Sequence, residues 1–142
     1  MTGRENPIPQ GRYIPANRQG QLIYTAGMTP RENGVLILTG KVSASRPSGY
    51  YRDAVRRAAA NALAAAKNAL GEGETLARIV TMTVYINAED GYARHTRIAD
   101  FASEYLCEEL GEAGIVSRVA VGVASLPGDA PVEIQLIAAV SK

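Results

Sequence analysis

The sequence predicts an α/β domain, of the α+β kind, in which one sheet carries two helices on one face. Three observations carry this reading. Two long segments have helical periodicity, Tyr51–Leu70 and Ala93–Leu110. Shorter segments rich in Val, Ile, Leu and Tyr flank them and read as strands. Their order is β-β-α-β-α-β-β, and two helices supply enough apolar surface to cover one face of a sheet. The uncovered face is then expected to be buried by self-association. The 142 residues suit one domain spanning 1–142.

Residues 1–18, rich in Pro, Arg, Asn and Gly, are expected to form an irregular N-terminal arm. Gln21–Gly27 reads as the first strand, ended by Gly27 and Pro30. Asn33-Gly34 is a tight-turn signal, followed by a strand at Val35–Leu38. Residues 39–49 form a loop. In Tyr51–Leu70 the residues Val55, Ala58, Ala59, Ala62, Leu63, Ala66, Ala69 and Leu70 share a stripe, and Gly71 suits the C-terminal cap. Arg78–Asn87 alternates Val80, Met82, Val84 and Ile86 against Thr81, Thr83 and Tyr85, as a strand does. In Ala93–Leu110 the stripe is Ile98, Phe101, Ala102, Tyr105, Leu106 and Leu110. Gly111 and Gly114 break the chain before a strand at Ser117–Ala124. Leu126–Asp129 turns it into a last strand at Val132–Val140.

Composition excludes several classes. The net charge of +1 gives no drive toward nucleic acid or an anionic membrane. No apolar run reaches the roughly 20 residues that span a bilayer, and Met1–Gln10 lacks the apolar stretch of a secretory signal. One cysteine, Cys107, cannot form an internal disulfide, which favours a cytoplasmic location. One His and one Cys make no metal-ligand cluster, so no metal and no cofactor are expected.

Two charged side chains stand out inside apolar strands. Desolvating either is costly unless it is paired or used. Arg118 shares its strand face with Ala120, Gly122 and Ala124, small residues that leave room for a ligand. Glu133 shares its face with Gln135. A small pocket with one cation and one carboxylate is the simplest arrangement; the alternative is a structural ion pair between the two, or with a neighbouring subunit. His95, near Arg94 and Arg97, reads as solvated. Cys107 reads as a small core residue, since no histidine partner is in view. Gly71-Glu72-Gly73-Glu74 is too acidic for a phosphate loop. Arg52, Arg56 and Arg57 read as a solvated helix face.

The ordered pieces of the chain resemble the RidA family, the YjgF-type reactive intermediate deaminases also described as L-PSP endoribonucleases. They are Gly11–Ala16, Leu22–Gly27, Asn33-Gly34, Gly40-Lys41-Val42, Ala59–Leu63, Thr83–Ile86, Ser117-Arg118, Leu126-Pro127 and Val132–Ile134. The resemblance implies a chorismate-mutase-like fold with a single mixed sheet, assembled as a homotrimer with ligand clefts between subunits. It implies that Arg118 binds a substrate carboxylate, that Glu133 holds or activates water, and that Tyr13 and backbone near Gly27 complete the pocket. The implied reaction is hydrolysis of enamines or imines such as 2-aminoacrylate to 2-oxo acids and ammonia. Val119-Ala120 follows the arginine where the best-known members have Ser-Cys. Arg12 precedes Tyr13 in place of proline, and 93–110 holds no asparagine. These departures resemble a less characterised branch.

An arginine fork grips a carboxylate through parallel hydrogen bonds, and a glutamate can place water and move protons. The same pocket suits non-catalytic binding of a small carboxylate such as a 2-oxo acid. Chorismate-mutase chemistry wants several cations and ribonuclease chemistry a basic groove. The sequence shows neither.

Overall fold

A computed structural model describes residues 5–142. The main sheet has five strands, in the order β1-β2-β7-β5-β6. They are β1 (Ala16–Gln19), β2 (Leu22–Thr25), β5 (Thr75–Asn87), β6 (Ser117–Val123) and β7 (Val132–Ser141). A separate two-stranded hairpin is formed by β3 (Arg31–Glu32) and β4 (Val35–Leu36). The helices are α1 (Arg52–Asn68) and α2 (His95–Leu110). The sheet is mixed: β5 and β6 run parallel and every other pair is antiparallel.

Both helices lie on one face, as expected. α1 packs over β7 and β2, while α2 packs over β6 and β5. Alanines at 58, 59, 62 and 66 are buried on α1, so helix and sheet approach closely. The core beneath is Ile23, Met82, Val84, Ile86, Ile134 and Leu136, all fully buried. The opposite face carries Leu22, Tyr24, Val119 and Val121, all exposed.

Three expectations need correction. The irregular arm is shorter, because Ala16–Gln19 is strand β1. Its sequence has no apolar alternation; pairing with β2 across a turn at Gly20 (φ 58°) makes the strand. The strand at 35–38 is only Val35–Leu36, closing the Asn33-Gly34 turn, whose φ values of 54° and 82° match the primed hairpin type. Val80 does not share the buried face of Met82. A bulge between Ile79 and Thr81 shifts the register against β7, so Ile79 is buried and Val80 is exposed.

Candidate functional site

Glu133 sits near the start of β7, where strand alternation fixes its direction. Val132 and Ile134 point into the core, so Glu133 points to the open face. Its ladder neighbour on β5 is Tyr85, which in turn faces Val121 on β6. The Glu133 carboxylate lies against the backbone of Gly27, where any Cβ would collide with it. Glycine is therefore required for this approach. The Met28–Ile134 bridge, with hydrogen bonds of 2.8 Å in both directions, pins the two segments together. Among the described residues, none donates a hydrogen bond to Glu133, and partial burial pushes its carboxyl above the usual glutamate range. Gln135, its neighbour on the same face, is committed elsewhere. Its amide donates to the Thr25 carbonyl at 3.4 Å.

Tyr13 and Gly27 line one cleft of about 170 Å³, together with Thr29, Arg31, Arg57 and Asn61. Glu133 is not part of its lining; it reaches Gly27 from elsewhere. Tyr13 is exposed, and its hydroxyl accepts a hydrogen bond from the Gln10 N–H at 3.1 Å. Asn61 donates to the carbonyls of Thr29 (3.1 Å) and Arg31 (2.9 Å), which fastens the β3 segment to α1. Arg57, expected to be solvated, is buried and pairs with Glu32 at 3.1 Å.

Arg118 stands on the other face. Its ladder partner Met82 is fully buried, and Leu136 lies beyond it on the same face. Its side chain runs up against α2. One guanidinium nitrogen, Nη1, donates to Ser103 Oγ at 2.7 Å. The other, Nη2, donates to the Thr96 carbonyl at 3.2 Å and pairs with Asp100 Oδ1 at 2.8 Å. The side chain is 18% exposed and its acid partner 47%. The small residues beside Arg118 therefore do not open a vacant pocket within the chain. α2 fills that space, and His95 shows how: its Nε2 lies 2.8 Å from where a Cβ on Gly122 would stand. His95 also meets Tyr92 edge to face at 5.6 Å, so it is partly buried and not simply solvated. Cys107 departs from expectation too, being exposed where a core position was expected.

Sheet parity separates the two charges. Within one chain Arg118 and Glu133 point to opposite faces, so neither the expected shared pocket nor an ion pair between them forms. Sequence reasoning also missed the partners of Arg118. Thr96, Asp100 and Ser103 recur at i, i+4 and i+7, a polar stripe beside the apolar one, and that spacing was the available signal. Among the described residues, no group of three His, Cys, Asp or Glu side chains is arranged to hold a metal ion. Among the described residues, no helix is long and apolar enough to cross a membrane.

The class of protein is set by this fold together with the match of residues 3–140 to the family model Endoribonuclease L-PSP. The chain belongs to that family, the YjgF/RidA group. It is similar to the solved Agrobacterium tumefaciens protein Atu1372, of unknown function, with 30% identity and a TM-score of 0.85 over 95% of this chain and 87% of that one. A Shewanella oneidensis protein of endoribonuclease type is 28% identical, with a TM-score of 0.89 over 98% and 92%. The YjgF protein of E. coli, 24% identical over 97% and 94%, shares the fold at a TM-score of 0.68.

Proposed function

We propose that the chain is a hydrolytic deaminase of reactive enamine and imine acids of the 2-aminoacrylate type, working as a homotrimer with sites between subunits. The observation that carries this reading is the half-buried Glu133 carboxylate. It rests on Gly27, has no described donor, and lies on a face rich in exposed Val, Leu and Tyr. On this reading a neighbouring copy supplies Arg118 to Glu133 across the interface, since within one chain the two point to opposite faces.

The enamine first takes a proton at carbon and becomes an iminium. Glu133 positions a water and accepts its proton as the oxygen bonds to the iminium carbon. Glu133 returns that proton to the nitrogen of the carbinolamine. The carbon–nitrogen bond breaks as the hydroxyl oxygen forms the new carbonyl and gives up its proton to solvent, offsetting the one taken up at carbon, and ammonia and a 2-oxo acid leave. Partial burial raises the carboxyl above its ordinary value, which makes it a stronger base for taking up the water's proton. Arg118 of the adjoining subunit anchors the substrate carboxylate, contributing roughly 1.5–3 kcal/mol net. Tyr13 and the backbone at Gly27 border the ligand. No cofactor takes part in this scheme.

A second reading is non-catalytic binding of a small carboxylate by a regulatory trimer. It is favoured by Val119-Ala120 standing after Arg118 where the best-known members of the family have Ser-Cys. Ammonia release from 2-aminoacrylate generated in situ separates the two. The deaminase reading expects turnover well above buffer. A rise in melting temperature with 2-oxobutanoate but no turnover supports the binder instead.

A further inference from the structure

Arg118 has five N–H groups, and two donate hydrogen bonds, to Ser103 and to the Thr96 carbonyl, while Asp100 adds an ion pair to Nη2. The Nε–H, one hydrogen on Nη1 and one on Nη2 make no hydrogen bond among the described residues. The guanidinium is therefore neither free nor saturated. Asp100 matters most, because it sets a negative charge 2.8 Å from the cation and is itself 47% exposed. It keeps acceptor capacity to spare, since a carboxylate accepts about four hydrogen bonds.

A guest carrying only a carboxylate gains from Arg118 and is repelled by Asp100. A guest carrying a carboxylate and a protonated nitrogen gains from both. We infer that Asp100 makes the Arg118 site selective for zwitterionic acids, with the carboxylate on the unused Arg118 N–H groups and the ammonium or iminium N–H on Asp100. This rests on the reading of Arg118 as a ligand-binding residue. It adds a direction to the proposed chemistry. The iminium acid formed at the site is a zwitterion, whereas the 2-oxo acid leaving is a plain anion. The same acid residue retains the first and releases the second. Asp100 is thereby a specificity-determining residue that neither accepts a proton nor touches the reacting bond.

Calorimetric titration of the full-length protein with two stable probes of equal length tests this: 2-aminobutanoate, a zwitterion, and 2-oxobutanoate, an anion. Wild type is expected to bind the amino acid at least fivefold more tightly. Asp100→Asn is expected to shift that ratio at least tenfold toward the oxo acid, by weakening the amino acid and strengthening the oxo acid. Ser103→Ala, which removes a neutral partner of the same guanidinium, is expected to leave the ratio within twofold. Equal shifts in both variants overturn the inference, as does a wild type that prefers the oxo acid or binds neither probe. Circular dichroism melts confirm that each variant is folded. Ammonia release is read separately. Selective binding without turnover sinks the deaminase reading and leaves this inference standing; turnover with an unchanged ratio in Asp100→Asn does the reverse.

Discussion

Glu133 and Arg118 flank the same central strand, β5, from its two sides, and each is a lone charge in an apolar strand. Their surroundings are nonetheless opposite. Glu133 lies on the uncovered face against bare backbone, with no described donor and a raised pKa. Arg118 lies beneath α2 with a hydroxyl, a carbonyl and a carboxylate already in contact. A carboxylate left without partners costs stability in the single chain, whereas a cation with three partners fixes the position of a helix. The contrast indicates which half awaits something from outside. On the proposed reading, Glu133 is the half of the site that a neighbour completes, and Arg118 is the half already positioned.

The largest effect expected along this contrast follows Glu133→Gln. If Glu133 activates the water as proposed, its removal is expected to lower kcat by about 10²–10⁴-fold. Stability moves the other way. A carboxyl whose folded pKa lies above its unfolded value costs stability once the pH rises past the unfolded value. The amide is therefore expected to raise Tm at pH 7. The same substitution has no such effect at pH 3, where both states are protonated. Thermal melts at the two pH values check the sign, and a Tm that falls at pH 7 removes the claim that Glu133 lacks partners.

Gly27→Ala is next. The new methyl displaces the Glu133 carboxylate, the end of a flexible side chain that can turn aside, so the cost in a chemical melt stays at or below the low end of overpacking, about 1 kcal/mol. Combining it with Glu133→Ala is expected to recover most of the loss, since the two residues touch. A full, undiminished loss in the double variant places the glycine requirement elsewhere.

The smallest effect belongs to a control far from either charge. Arg18 on β1 grips Glu74 at 2.7 and 2.8 Å through two guanidinium nitrogens, tying the first hairpin to the end of α1. The Arg18 hydrogen bonds, helped by the Gly71 N–H, hold the Glu74 carboxyl down at about 2, against the usual 4.5. Its contribution is present above the usual value and fades as the pH falls from 4.5 toward 2. The Tm difference between wild type and Glu74→Gln should shrink over that range and be flat above pH 6.

Much of this was legible in the chain. The two helices, the strand order and the singular charges at 118 and 133 all follow from period, composition and the cost of burying charge. What was not legible has identifiable causes. Strand β1 arises from pairing, because Ala16–Gln19 has no pattern of its own. The bulge before Thr81 inverts the face of Val80, and no local residue announces it. Period-two reasoning says which residues of one strand share a face. It does not say which face of the finished sheet that is, and so does not tell that Arg118 and Glu133 point apart within one chain. The α2 stripe of Thr96, Asp100 and Ser103 held the missing information, since a polar row beside an apolar one marks a helix edge that meets a charge.

If the two charges act on one substrate, they come from two subunits, and a mixing experiment tests this most directly. Glu133→Gln and Arg118→Ala are each expected to be inactive in ammonia release. Unfolded together, mixed in equal amounts and reassembled, they form oligomers in which some interfaces pair an intact Glu133 with a neighbour's intact Arg118. Random assembly into trimers restores about one quarter of wild-type activity. Activity that stays at the level of the single variants, in oligomers shown to be mixed, contradicts a site shared between chains.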